Sequence, residues 1–169
     1  MNGDRQPAGR AKVRGRGGVT AARLAAVQAL YQIELGGGTA ESVIAEFVRH
    51  RLANDGESQP AFRADPTVFA ELVRGTASRR ADIDRMIAGA LQKGRSLSRL
   101  ETLLRAILRT GTYELQARPQ VPARVVISEY VDVAHAFYDG GEPGLVNGVL
   151  DHLARLLRGE ELAGSRERS

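Results

Sequence analysis

VPARVVISEYVDVAHAF, residues 121–137, decides the fold class. Its Val125-Val126-Ile127 triplet suits a strand, because β-branched side chains pack well on a pleated surface. The longer pattern points the other way. Val126, Ile127, Tyr130, Ala134 and Phe137 recur at steps of three and four. That spacing, kept over several turns, predicts one apolar face of a helix. Pro122 stands where a helix can open, since the first turn needs no N–H from it.

The same periodicity continues on both sides. Upstream, Leu100, Leu103, Leu104, Ile107, Leu108, Gly111 and Leu115 mark one face, and Pro119 ends that helix. Ser98-Arg99-Leu100-Glu101 has the form of a capping box ahead of it. Downstream, a last helix is expected from about Gly144 to Arg158, with Val146, Val149, Leu150, Leu153 and Leu157 inward and Gly159 as its C-cap. Toward the start, Thr20 is placed to cap a helix through Leu35, which Gly36-Gly37-Gly38 stops. Thr39 caps the next, with Val43, Ile44, Phe47, Val48 and Leu52 on one face; residues 53–64 read as a loop. Asp65-Pro66 is an N-cap followed by proline at the first helical position. Val68, Phe69, Leu72 and Val73 follow, Gly75 to Ser78 break or bend the helix, and Ile83, Met86, Ile87, Ala90 and Leu91 resume the stripe until Gly94. No segment sustains an alternation of period two. The expected fold is all-α, a compact bundle of six or seven helices.

Composition narrows the function. The 169 residues include no cysteine, which removes disulfides, thiolate metal sites and cysteine nucleophiles. No apolar run approaches the roughly 20 residues of a membrane span. The basic start is not followed by an apolar stretch, so it is not expected to be a secretory signal. Charge is unevenly placed. Arg5, Arg10, Lys12, Arg14 and Arg16 against Asp4 give residues 1–18 a net +4, equal to the net charge of the whole chain. These residues are expected to form a basic disordered arm, residues 19–159 a helical domain, and residues 160–169 a loose tail. A basic arm suits a polyanion, most simply nucleic acid. A solubilising tail is the other reading.

Catalytic chemistry finds no foothold. His50, His135 and His152 share no metal-ligand spacing, and a structural role is expected for each. No phosphate-binding glycine loop follows a strand; Gly36 to Gly38 follow a helix. There is no nucleophile elbow. The sequence offers no catalytic constellation, and no cofactor, metal or catalytic residue is expected.

Some polar residues sit in apolar company. Arg109, Glu114 and Glu129 are candidates for an ion pair between packed helices, structural or partner-binding. Tyr31, one turn before Glu34, reads as core with its hydroxyl at the boundary. Asn147-Gly148 interrupts a strong helix, at a cost of about 1 kcal/mol for the glycine. Two uses are open: Asn147 ties the preceding loop while Gly148 lets helices touch, or the pair shapes a surface that a ligand approaches closely.

Four blocks in order resemble the NusB family of bacterial transcription antitermination factors. They are ARLAAVQALYQIEL (22–35), LLRAILRTGTYEL (103–115), VPARVVISEYVDVAHAFY (121–138) and LVNGVLDHLARLL (145–157). The likeness covers about residues 20–158. Ser128 stands where the family usually has asparagine, and Leu145 where it usually has phenylalanine. The second change removes an aromatic ring that could stack on a base.

The resemblance implies two small three-helix bundles and a cytoplasmic protein without a membrane partner. It implies binding of single-stranded boxA RNA in nascent ribosomal RNA transcripts, jointly with the ribosomal protein NusE. Other Nus factors and the transcription elongation complex are the wider partners; both monomers and homodimers occur in the family. Carried onto this chain, the expected RNA-binding residues are Arg10, Lys12, Arg14, Arg16, Arg23, Gly141, Leu145 and Asn147. The expected partner surface includes Tyr31, Glu34 and Arg105. The loop from Asp139 is expected to lie beside the basic arm. Two other readings compete: the helical domain of a ribosomal RNA methyltransferase, which would need an α/β cofactor domain that does not follow residue 158, and a helical scaffold that binds only proteins.

Overall fold

The computed structural model describes the backbone of residues 9–53 and 64–164, and the side chains of residues 17–50 and 64–164. Eight α-helices follow one another among these residues: α1 Gly9–Gly36, α2 Ala40–Ala53, α3 Pro66–Ser78, α4 Arg80–Ala90, α5 Thr102–Ala117, α6 Ala123–Phe137, α7 Glu142–Leu157 and α8 Gly159–Gly164. There is no strand among them, so the helical reading of the Val125-Val126-Ile127 triplet holds. Val126 and Ile127 face the core while Val125 is 43% exposed.

Helices α1, α2 and α3 pack together, as do α5, α6 and α7, and α4 lies against α5 and α7. Helix α5 joins the two groups, touching α1, α3, α4, α6 and α7. Its burial is therefore not a stripe. Leu104 and every residue from Ala106 to Leu115 are buried, including Arg109, Thr110, Thr112 and Glu114. The two threonines need no outside partner, because Thr110 donates to the Ala106 carbonyl and Thr112 to the Leu108 carbonyl, each at 2.7 Å.

The local signals mostly behave as read. The Asp65 carboxylate accepts from the amides of Thr67 (2.9 Å) and Val68 (3.1 Å) to start α3. Thr39 caps α2 reciprocally with Ser42: the Ser42 amide donates to Thr39 Oγ1, and the Thr39 amide to Ser42 Oγ, both at 3.1 Å. The loop read over residues 53–64 falls largely outside the described residues. The break near Gly75 comes at Arg79, between α3 and α4.

Four expectations differ. Helix α1 begins at Gly9, not after Thr20, so the backbone of the arm is helical from there. Arg10, Ala11, Lys12 and Arg14 are good helix formers, and lengthening a helix escapes the cost of nucleating one. Ser98 caps nothing: it lies in a 3-10 turn, Leu97–Arg99, and α5 begins after Glu101. The chain also does not stop at Gly159. Arg158 is the C-cap of α7, and the helix count rises to eight because the chain turns directly into α8. What holds that corner is the Arg158 guanidinium, which donates to the carbonyls of Leu115 (2.8 Å), Glu114 (3.1 Å) and Arg118 (2.9 Å) and to that of Val121. It satisfies the Leu115 carbonyl, in the last turn of α5, and those of Arg118 and Val121 just beyond it. Part of the expected loose tail, up to Gly164, is thus helical.

Candidate nucleic-acid interface

Three sites decide what the molecule can hold. The first is the α1–α5–α6 seam, below the basic end of α1. Arg23 is only 3% exposed. Its Nε lies 3.1 Å and 3.0 Å from the two Glu114 carboxylate oxygens, and its Nη2 lies 2.6 Å from Oε1. The Tyr130 hydroxyl donates to Glu114 Oε2 at 2.7 Å. Glu129 reaches the same guanidinium at 3.4 Å and accepts from the Thr20 hydroxyl at 3.0 Å. Burial works to lower the Arg23 pKa, but the hydrogen bond and charge of Glu114 outweigh it, and the guanidinium is held above its ordinary value. Burial, then the charge of Glu114, pushes the Tyr130 phenol well above its ordinary value. Arg23 is therefore an interior cation held by Glu114 and, more distantly, Glu129. Expected as an RNA contact, it lies in the core here, paired across 91 positions of sequence.

Arg10, Lys12, Arg14 and Arg16 lie on the helical backbone of α1 beyond this seam, toward its start. Their side chains lie outside the described residues.

The second site is the start of α7. Gly141 is its N-cap, exposed, with no side-chain cap. Leu145 packs partly against the core, and Asn147 is exposed and makes no side-chain hydrogen bond among the described residues. Gly148 has open space where a Cβ would stand. It does not let helices touch, and Asn147 does not tie the loop. Both residues of the pair stand exposed on α7. Sequence reasoning missed two neighbours. Arg95 and Arg99, in the connection from α4 to α5, line a cleft with Gly141, Glu142 and Leu145. Both are exposed, and neither guanidinium has an acidic partner among the described residues. The available signal is two arginines four apart in a short connection, where Arg99 reads only as part of a helix cap.

Helix directions separate these two sites. Arg23 meets Glu114 while Glu34 meets Arg105, so α1 runs antiparallel to α5. Leu145 shares its cleft with Leu104 and Arg158 meets Glu114, so α7 runs parallel to α5. The loop before α7 lies at the N-terminal end of α5, and the basic end of α1 lies beyond the C-terminal end. From Leu104 to Glu114 alone the rise along α5 is about 15 Å. The loop does not lie beside the described part of the arm, and a ligand touching both spans the length of α5.

The third site is the end of α1. Glu34 Oε1 accepts from Arg105 at 2.7 Å, and Oε2 from Arg109 at 3.0 Å. Arg80 stands 3.7 Å away. Arg109 also grips Asp84 with two hydrogen bonds, at 2.7 Å and 3.1 Å. The expected trio Arg109, Glu114 and Glu129 is thus split: Glu114 and Glu129 share Arg23, and Arg109 turns to Glu34 and Asp84. Tyr31, one turn before Glu34, is half-buried against the core. Of the expected partner surface, Glu34 and Arg105 meet directly. The three histidines are exposed and lie on separate helices, α2, α6 and α7. Among the described residues no helix is long and apolar enough to cross a membrane.

Comparison with known proteins agrees with this geometry. The model of the NusB family matches residues 20–155. The transcription antitermination protein NusB of Rhodopseudomonas palustris (strain BisB18) is 48% identical over 157 residues, covering 93% of this chain and 91% of its own. That of Nitrobacter winogradskyi is 51% identical over 143 residues, covering 85% and 89%. Among solved structures, T. maritima NusB superposes with a TM-score of 0.69 at 27% identity, covering 85% of this chain and 96% of that one. A chain from the complex of the antitermination factors NusB and NusE with dsRNA superposes with a TM-score of 0.62 at 25% identity, covering 81% and 96%. With a family match across both helical groups and relatives near half identical over most of its length, this chain belongs to the NusB family.

Proposed function

We propose that this protein is a transcription antitermination factor that binds boxA-type single-stranded RNA together with NusE and promotes processive transcription of ribosomal RNA. The observation that carries the reading is the family match over residues 20–155, joined to a relative of the same fold solved with NusE and RNA. The protein works by binding in the cytoplasm, within an elongation complex that holds other Nus factors. The basic residues Arg10, Lys12, Arg14 and Arg16 supply the electrostatic part of RNA affinity. Gly141, Leu145 and Asn147, with Arg95 and Arg99 beside them, meet the strand at the other end of α5. Tyr31, Glu34 and Arg105 belong to the surface that receives NusE.

A gel-shift titration with a boxA RNA oligonucleotide, with and without NusE, tests the reading. Binding that NusE strengthens, and that a scrambled RNA of equal length does not match, is expected. Equal affinity for both RNAs overturns it. Removing residues 1–16 should flatten the salt dependence by about 0.7 for each phosphate that the arm neutralises. The truncation stops at residue 16 because the Gly18 carbonyl accepts from the Asp65 amide at 2.9 Å and belongs to the folded body.

A further inference from the structure

Glu129 is the lesser of the two acids that neutralise Arg23, at 3.4 Å from its Nη1. Glu114 already takes three hydrogen bonds from that guanidinium, the shortest at 2.6 Å, and its second oxygen is completed by Tyr130. Glu129 also reaches along α1. Its Oε1 lies 3.4 Å from Arg23 Nη1 and 3.0 Å from the Thr20 hydroxyl, one turn nearer the basic end. Just ahead of Thr20, the Gly18 carbonyl is tied to the Asp65 amide at 2.9 Å. This stretch of α1 is thus fastened to α6 by the Thr20 side chain and to the start of α3 by the Gly18 backbone. Everything basic in the arm lies beyond these two ties.

We propose that Glu129 is a positioning residue for RNA binding: by holding Thr20 and Arg23 it sets the direction in which the basic turns of α1 leave the body. The inference rests on the RNA-binding reading above. An acid beside a cationic arm is an odd choice if charge alone matters, since it repels phosphate. It makes sense as a tether. A helix is stiff, so a small tilt at Thr20 becomes a displacement of several ångströms at Arg10, about 15 Å further along the axis.

The two accounts differ in sign. As a bystander charge, Glu129 weakens RNA binding, and Glu129→Ala strengthens it. As a tether, Glu129→Ala weakens binding in spite of the removed repulsion. Affinity for a boxA RNA oligonucleotide should be measured on the full chain between 50 and 200 mM salt. The expected result for Glu129→Ala is about a fivefold weaker affinity at 100 mM salt for each phosphate the arm no longer reaches, with the salt slope flatter by about 0.7. Glu129→Gln keeps an oxygen for the Thr20 hydroxyl and should restore the slope. Thr20→Val, which changes no charge, should share the flatter slope, and Thr20→Ser should not. A purely structural role lowers the melting temperature but leaves the slope of the folded protein unchanged. Tighter binding by Glu129→Ala, or an unchanged slope in both Glu129→Ala and Thr20→Val, overturns the proposal. A parent chain that prefers no RNA overturns the functional reading instead, so the two failures are distinguishable.

Discussion

Gly75 on α3 and Tyr113 on α5 share a space that no second carbon can enter. A Cβ on Gly75 would stand 2.1 Å from Tyr113 Cζ and 2.3 Å from its Cε2. The ring has little freedom to retreat, since it is only 6% exposed and Arg79 lies over it, 5.6 Å from the ring centre. Gly75 lets α3 and α5 come close, as Gly111, whose Cβ would stand 2.8 Å from a Leu150 methyl, does for α5 and α7. Gly148, which the chain places in the middle of α7, meets nothing within 4 Å.

The two glycines should respond oppositely to alanine. Gly75→Ala forces α3 and α5 apart and should cost about 1–3 kcal/mol. Gly148→Ala should raise stability by about 1 kcal/mol, the difference in helix propensity. Urea denaturation measures both. Gly148→Ala should also lower affinity for boxA RNA, because the surface use of this glycine is close approach of a ligand. A variant that is more stable and binds equally well would remove Gly148 from the interface.

Breaking the buried pair should be costly. Glu114 is fully buried, and its loss leaves Arg23 inside with only the more distant Glu129. Glu114→Gln is expected to destabilise by about 3–5 kcal/mol, the range for removing one partner of a buried pair. Chemical denaturation that shows less than about 1 kcal/mol would mean water reaches the guanidinium.

Glu34 makes the fold acid-sensitive. Burial works to raise its carboxyl pKa, but the hydrogen bond from Arg105 and the charges of Arg109, Arg105 and Arg80 together hold it below its ordinary 4.5. The folded value lies under the unfolded one, so its stabilisation is complete above about pH 4.5 and fades as pH falls through the folded value. The melting temperature of the parent should exceed that of Glu34→Gln at neutral pH, and the gap should close in acid. A gap constant from pH 7 to pH 3 would contradict this.

The cleft at the start of α7 should add to binding on its own account. Replacing Arg95 and Arg99 together by glutamine should lower the salt slope of RNA binding by about 1.4, the value for two phosphates. Leu145→Phe should tighten boxA binding modestly by giving a base a ring to stack on. Asp139→Asn should tighten binding to any RNA by removing repulsion. Filter binding on boxA and a scrambled RNA reads all three; no change in any of them would place the strand elsewhere.

Local chemistry is legible in the chain. Helix periodicity, the Asp65-Pro66 start and the Thr39 cap depend on neighbours within a turn, and each reads from spacing alone. The family blocks are legible for the same reason, as short patterns in order. Partnerships are not. Arg23 looks like one more arginine near a basic arm, yet it is an interior ion because α5 and α6 bring Glu114 and Glu129 to it. Arg109, expected beside those acids, finds Glu34 and Asp84, because α1 and α4 cross α5 one helical stretch away. Arg95 and Arg99 join the candidate interface through the parallel run of α7 along α5. Charge pairing acts through space at about 3–4 Å, and the order of residues along a chain specifies that distance only within a helical turn or two. Beyond that, the directions in which the helices pack choose the partners.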